Sequence, residues 1–181
     1  SVREEIDRIL REIEEVVKTS SERIKRLLEK IEEVVKRLIE ENRRVLKRTD
    51  EEADRLLKEV KDDKDLLREL RDLLKKAREL NTEITERLKR LLDRIRELIE
   101  KVHRENEKLL REIRERIKEA RELEDVDTLR KEVKEVIDTS EDLVRRLEEE
   151  VRKAAKRLKD LVDDSRRLNT EILRTLRERR R

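Results

Sequence analysis

The sequence predicts an all-α fold: an elongated, up-down-up antiparallel three-helix bundle of long, nearly straight helices. Three observations carry this expectation. Gly, Pro, Cys, Met, Gln and all three aromatic residues are absent from the 181 residues. What remains is rich in Leu, Glu, Lys and Arg, which are good helix formers, and shows no strand-type alternation. The apolar third of the chain repeats every eighteen residues, and that rhythm pauses at only two places.

The first helix is expected over residues 1–61. Its rhythm stops around Lys61-Asp62-Asp63-Lys64-Asp65, where Asp63 or Asp65 can cap a second helix whose first apolar pair is Leu66-Leu67. That second helix is expected over 65–123. The rhythm pauses again around Glu124-Asp125-Val126-Asp127. Asp127-Thr128-Leu129-Arg130 then opens a third helix over 128–181, with an acid at its positive N-terminal end. Each segment would run roughly 80–90 Å at the α-helical rise. Matched lengths and short connections favour antiparallel packing in a single domain spanning 1–181.

The eighteen-residue period is also what predicts straight helices. Ile13-Glu14-Glu15-Val16-Val17-Lys18 recurs letter for letter as Ile31-Glu32-Glu33-Val34-Val35-Lys36. Leu73-Leu74, Leu91-Leu92 and Leu109-Leu110 keep the same step, as do Val136-Ile137, Ala154-Ala155 and Ile172-Leu173. Eighteen residues make about five turns at 3.6 per turn, so the apolar stripe stays on one side of a straight helix, whereas a heptad would impose supercoiling. Apolar doublets alternating with singles give a stripe wide enough to face two neighbours.

Uncharged polar residues interrupt this stripe. Asn42 stands in the series Ile6, Ile24, Asn42, Val60; Asn81 precedes Ile99 and Ile117; Asn106 follows Leu70 and Leu88; Asn169 follows Val133 and Val151. Ser165 follows Leu129 and Leu147, and Ser140 precedes Leu158 and Leu176. Folding the chain at its two breaks brings Asn42 level with Asn81 and Thr85, and Asn81 level with Asn169, with Ser165 about a turn away. A second group gathers Ser20 and Ser21 level with His103 and Asn106, with Ser140 and Thr139 nearby. Two clusters that each draw on three helices point to buried hydrogen-bond networks, because an unpartnered buried polar side chain costs about 1–3 kcal/mol.

Composition excludes several function classes. Charged residues make up 57%, but 53 Lys and Arg nearly balance 50 Asp and Glu, leaving a net charge of +3. So small an excess is weak ground for nucleic-acid binding, and the basic end Arg177-Glu178-Arg179-Arg180-Arg181 lacks aromatic interleaving. Cations there complement a helix dipole. No apolar run approaches a membrane span, the N-terminus has no signal-peptide pattern, and the expectation is a soluble, cytoplasmic chain. Without Gly there is no phosphate loop, without Cys no thiolate, and the serines have no neighbouring base. His103, the one histidine, cannot anchor a zinc site alone, and as a pH switch it lacks the stacked companions such switches use. Carboxylate pairs such as Glu14-Glu15 and Glu148-Glu149-Glu150 alternate with Lys and Arg as helix support. No enzyme, cofactor, metal or small-molecule substrate is expected.

Charged helices with Leu/Ile/Val cores, compact capped breaks, near-perfect internal repeats and Asn/Ser/Thr layers make the whole chain resemble computationally designed helical bundles with buried hydrogen-bond networks. The lack of Gly and Pro in the connections departs from many members of that class. The resemblance implies a very stable synthetic scaffold or building block with no natural cellular role or localisation, and no residue inherits a catalytic part from it. Apolar content matching one three-helix core favours a monomer. The alternative is an interaction module, self-associating or receiving a designed partner helix, with Leu38-Ile39 and Leu56-Leu57 as its residual apolar face.

Overall fold

The computed structural model describes residues 1–120 and 126–180. Three long helices, α1 (Val2–Glu59), α2 (Lys64–Glu119) and α3 (Val126–Arg180), pack against one another as an all-α three-helix bundle, with no strand among the described residues. Of the sequence-derived boundaries, Glu124, Asp125 and the expected end of the second helix at 121–123 lie outside the described residues, as does Arg181.

The helix ends follow from capping chemistry. At the start of α1, Ser1 Oγ accepts from the Glu4 amide at 3.4 Å and its carbonyl accepts from the Glu5 amide at 3.2 Å. α1 stops at Glu59, two residues before the sequence places its end. The reason is a turn in which the Asp63 amide donates to the Val60 carbonyl at 3.0 Å. Of the two candidate caps, Asp63 is the one used: its Oδ1 accepts from the Leu66 amide at 3.2 Å and its carbonyl from the Leu67 amide at 2.9 Å. Asp65 falls inside the first turn, where its charge faces the positive helix end. Asp63→Ala is expected to lower stability by about 1 kcal/mol, read as a shift in the guanidinium unfolding midpoint. α3 begins two residues earlier than expected, which puts Asp127 within its first turn. No described residue has a positive φ. The α1–α2 connection therefore closes without the left-handed residue for which glycine is usually chosen.

The chain divides into two compact units, each holding part of all three helices. One comprises Ser1–Ile31 and Arg94–Lys153. Its core gathers Ile6, Ile9 and Ile13 of α1, Ile113, Ile117 and Ala120 of α2, and Leu129 and Val133 of α3. The other comprises Glu32–Asp93 and Ala154–Arg181, and packs Ala53, Leu56 and Val60 with Leu70, Leu74 and Leu176. In the first unit early α1 positions meet late α2 and early α3 positions, and in the second late α1 positions meet early α2 and a late α3 position. The up-down-up course thus holds within each unit. Such contacts arise because the eighteen-residue step returns to one helix face, so the buried residues of each helix form a continuous stripe.

Candidate functional site

Among the described residues, the chemistry that departs from a plain apolar core is a set of eight buried polar side chains: Ser20, Asn42, Thr49, Asn81, Asn106, Ser140, Ser165 and Asn169. They fall into two connected groups, each inside one unit.

In the first unit a single amide bridges three helices. Asn106 Nδ2 on α2 donates to Ser20 Oγ on α1 at 3.0 Å, and the Ser140 hydroxyl on α3 donates to Asn106 Oδ1. The Ser20 hydroxyl itself donates to the Val17 carbonyl one turn back, at 3.2 Å. A half-open groove of about 230 Å³ lies alongside between α1 and α3, floored by Val16, Ser20, Ser140 and Val144 and rimmed by Glu12, Glu15 and Glu141.

The second unit holds a longer network. Asn42 Nδ2 donates to the Asn81 carbonyl at 3.1 Å and to Thr85 Oγ1 at 3.0 Å, while Asn42 Oδ1 accepts from the Ser165 hydroxyl at 2.8 Å. Both amide protons and the carbonyl of Asn42 are therefore engaged, and by partners on both other helices. Asn81 Nδ2 answers with a 2.7 Å bond to the Asn42 carbonyl, so the two asparagines each cap the other's backbone. On the far side, Asn169 Nδ2 donates to the Ser165 carbonyl at 2.8 Å, and Asn169 Oδ1 lies 2.8 Å from the Thr49 hydroxyl. Thr49 Oγ1 is also 3.0 Å from the Val45 carbonyl, which gives its one proton two acceptors.

Eight of the ten residues singled out from the sequence take part in these bonds. The other two do not join them. Ser21 is half-buried beside Ser20 and outside the network. His103, with 34% of its side chain exposed, places Nε2 2.9 Å from Glu107 Oε1 one turn along α2, and its buried Nδ1 has no hydrogen-bond partner. Thr139, also level with this group, bonds the Glu135 carbonyl of its own helix at 2.8 Å and is exposed. Conversely, sequence reasoning missed Thr49. The signal was present, since Thr49 continues the series Ile13 and Ile31, both buried.

Each network has an apolar counterpart one repeat away. Ser20, Asn106 and Ser140 correspond to Leu38, Leu88 and Leu158; Asn42, Thr49, Asn81, Ser165 and Asn169 correspond to Ile24, Ile31, Ile99, Leu147 and Val151. All eight apolar counterparts are buried. The polar layers thus occupy positions that the repeat fills equally well with hydrocarbon.

At the basic end, Arg177 pairs with Glu52 and Arg179 with Glu69. Among the described residues no helix is long and apolar enough to cross a membrane, and no three His, Asp or Glu side chains gather to hold a metal ion. No known protein family, curated protein or solved structure matches the chain.

Proposed function

We propose that the chain is a computationally designed structural scaffold, a monomeric three-helix bundle whose polar core layers specify helix register, with no natural biochemical activity. What supports the reading is the arrangement of the buried polar groups. All eight are hydrogen-bonded, each set draws on all three helices, and each replaces an apolar layer that the repeat otherwise supplies. A layer of this kind contributes discrimination rather than raw stability: a shifted helix would bury its amides and hydroxyls against leucine and isoleucine, unpaired. Active sites need free polar groups aimed at a cavity, whereas here the amide of Asn42 is spent on the protein's own helices.

The alternative of an exposed apolar face for a partner has less to draw on. Leu38 and Leu56 are buried, and Leu57 packs against the core of its unit. Val2 and Leu168 are the exposed large hydrophobic residues among those described, too few for a contiguous docking patch. Light scattering behind a sizing column is expected to give the 22.2 kDa mass of one chain from micromolar to near-millimolar concentration. A mass of twice that value or more would instead establish the interaction-module reading.

A further inference from the structure

In each unit α1 and α3 run side by side in the same direction, and their flanks are joined by ion pairs in a fixed register. Arg23 pairs with Glu148, Glu41 with Arg166 and Glu52 with Arg177, always 125 residues apart. Glu5 and Arg130, 3.3 Å apart, keep the same separation. Along α1 these positions advance by eighteen, eighteen and eleven residues, steps that return to one helix face. Three of the pairs put the acid on α1 and the base on α3. Arg23–Glu148 is inverted.

The inversion matters because the apolar pattern alone does not distinguish the native register from one displaced by a repeat. In α3, Val126, Val144 and Val162 share a stripe, as do Leu129 with Leu147, and Leu158 with Leu176. In α1, Ile6 with Ile24 and Ile13 with Ile31 do likewise. Moving α3 by one repeat in one sense would set Arg23 against Arg130 and Glu41 against Glu148. Moving it in the other sense would set Glu5 against Glu148 and Arg23 against Arg166. Were residue 23 acidic and residue 148 basic, all four of those displaced contacts would be attractive instead. Such a displacement spans about 27 Å along the helix. The seven Cα–Cα steps from Glu119 to Val126 reach at most about 25 Å, so a displaced α3 has to come from a second copy.

We propose that the inverted pair Arg23–Glu148 guards the α1 flank against α3 of a second copy docking one repeat out of register. The guard is electrostatic and lies on the flank, so it acts independently of the buried networks. It extends the register reading given above and is separable from it. Exposed pairs are individually weak, but two reverse sign together in either displacement, a combined effect on the order of tenfold in population.

The test crosses two changes. One is the charge exchange Arg23→Glu with Glu148→Arg, which keeps an opposite-charge pair in the native register. The other replaces the second unit's network by its apolar counterparts: Asn42→Ile, Thr49→Ile, Asn81→Ile, Ser165→Leu and Asn169→Val. In each of the four resulting backgrounds, a chain carrying Val34→Cys and a chain carrying Glu141→Cys are unfolded, mixed, refolded and oxidised. Residues 34 and 141 meet only across copies displaced by one repeat. A single chain with Val34→Cys and Lys159→Cys reports the native register in parallel. With the networks replaced, the charge exchange is expected to raise the mixed disulfide dimer about tenfold while the native 34–159 disulfide still forms. An unchanged yield of mixed dimer in that background overturns the guard. The network reading fails by a different outcome, namely that replacing the layer leaves the mixed dimer at the level of the unaltered chain.

Discussion

Asn42→Ile alone is expected to destabilise the protein by about 2–4 kcal/mol, whereas the fivefold replacement of its layer is expected to stabilise it by about 1–4 kcal/mol. The opposite signs follow from how the network is closed. Removing Asn42 takes the acceptor from the Ser165 hydroxyl and the donor from the Asn81 carbonyl and Thr85 hydroxyl, in a site where Asn42 and Ser165 are fully buried. Those groups keep their desolvation penalty and lose their partners. Replacing the five residues together removes both partners of the Asn42–Ser165 and Thr49–Asn169 bonds, and leaves behind half-buried Thr85 and backbone carbonyls that keep their intrahelical bonds. It also installs side chains that the corresponding layer one repeat away already accommodates, at Ile24, Ile31, Ile99, Leu147 and Val151. Guanidinium unfolding of both variants tests the pair of signs. If the fivefold variant proves no more stable than the single one, the five residues do not act as one satisfied layer.

Ile117→Ala carries the second large expectation, a loss of about 2–5 kcal/mol. Ile117 is fully buried and belongs to a cluster fed by Ile6 and Ile13 from α1 and Leu129 and Val133 from α3. Truncating it removes transfer free energy and leaves a cavity that the close-packed neighbours from all three helices have little freedom to fill. Val2→Ala, at a position 54% exposed, is expected to change stability by no more than about 0.5 kcal/mol under the same denaturation. Equal effects at the two positions would show that the apolar stripe is not what holds this unit together.

Much of this architecture is legible in the sequence because one period governs all three helices. Position along a helix follows from counting outward from the two breaks, and that arithmetic brought Asn42 to Asn81 and Ser20 to Asn106. Counting gives height but not rotation. Ser21 is level with its neighbour Ser20 yet turned about 100° away from it around the helix, and His103 sits three residues from Asn106, on the flank rather than in the layer. Both share the height of the network without sharing its direction. Thr49 failed in the opposite way: its direction was readable from Ile13 and Ile31, but between Arg48 and Asp50 it looked like surface. The exact end of α1 was not readable either. A capping aspartate is recognisable, while the number of residues spent in the turn before it depends on how the Val60 carbonyl meets the Asp63 amide.

The connection that turns without a positive φ has a practical consequence. Since no described position requires the absence of a Cβ, no described position is closed by backbone sterics to an L-residue carrying a probe. The chain also contains no Cys, Trp, Tyr or Phe, so one such residue introduced anywhere on a solvent-facing position would be the sole thiol or the sole fluorophore in the molecule. Within each unit, helical pitch then converts a probe's residue number directly into height and heading. What began as a shortage of residue types leaves a spectroscopically silent frame on which any single reporter can be read without background.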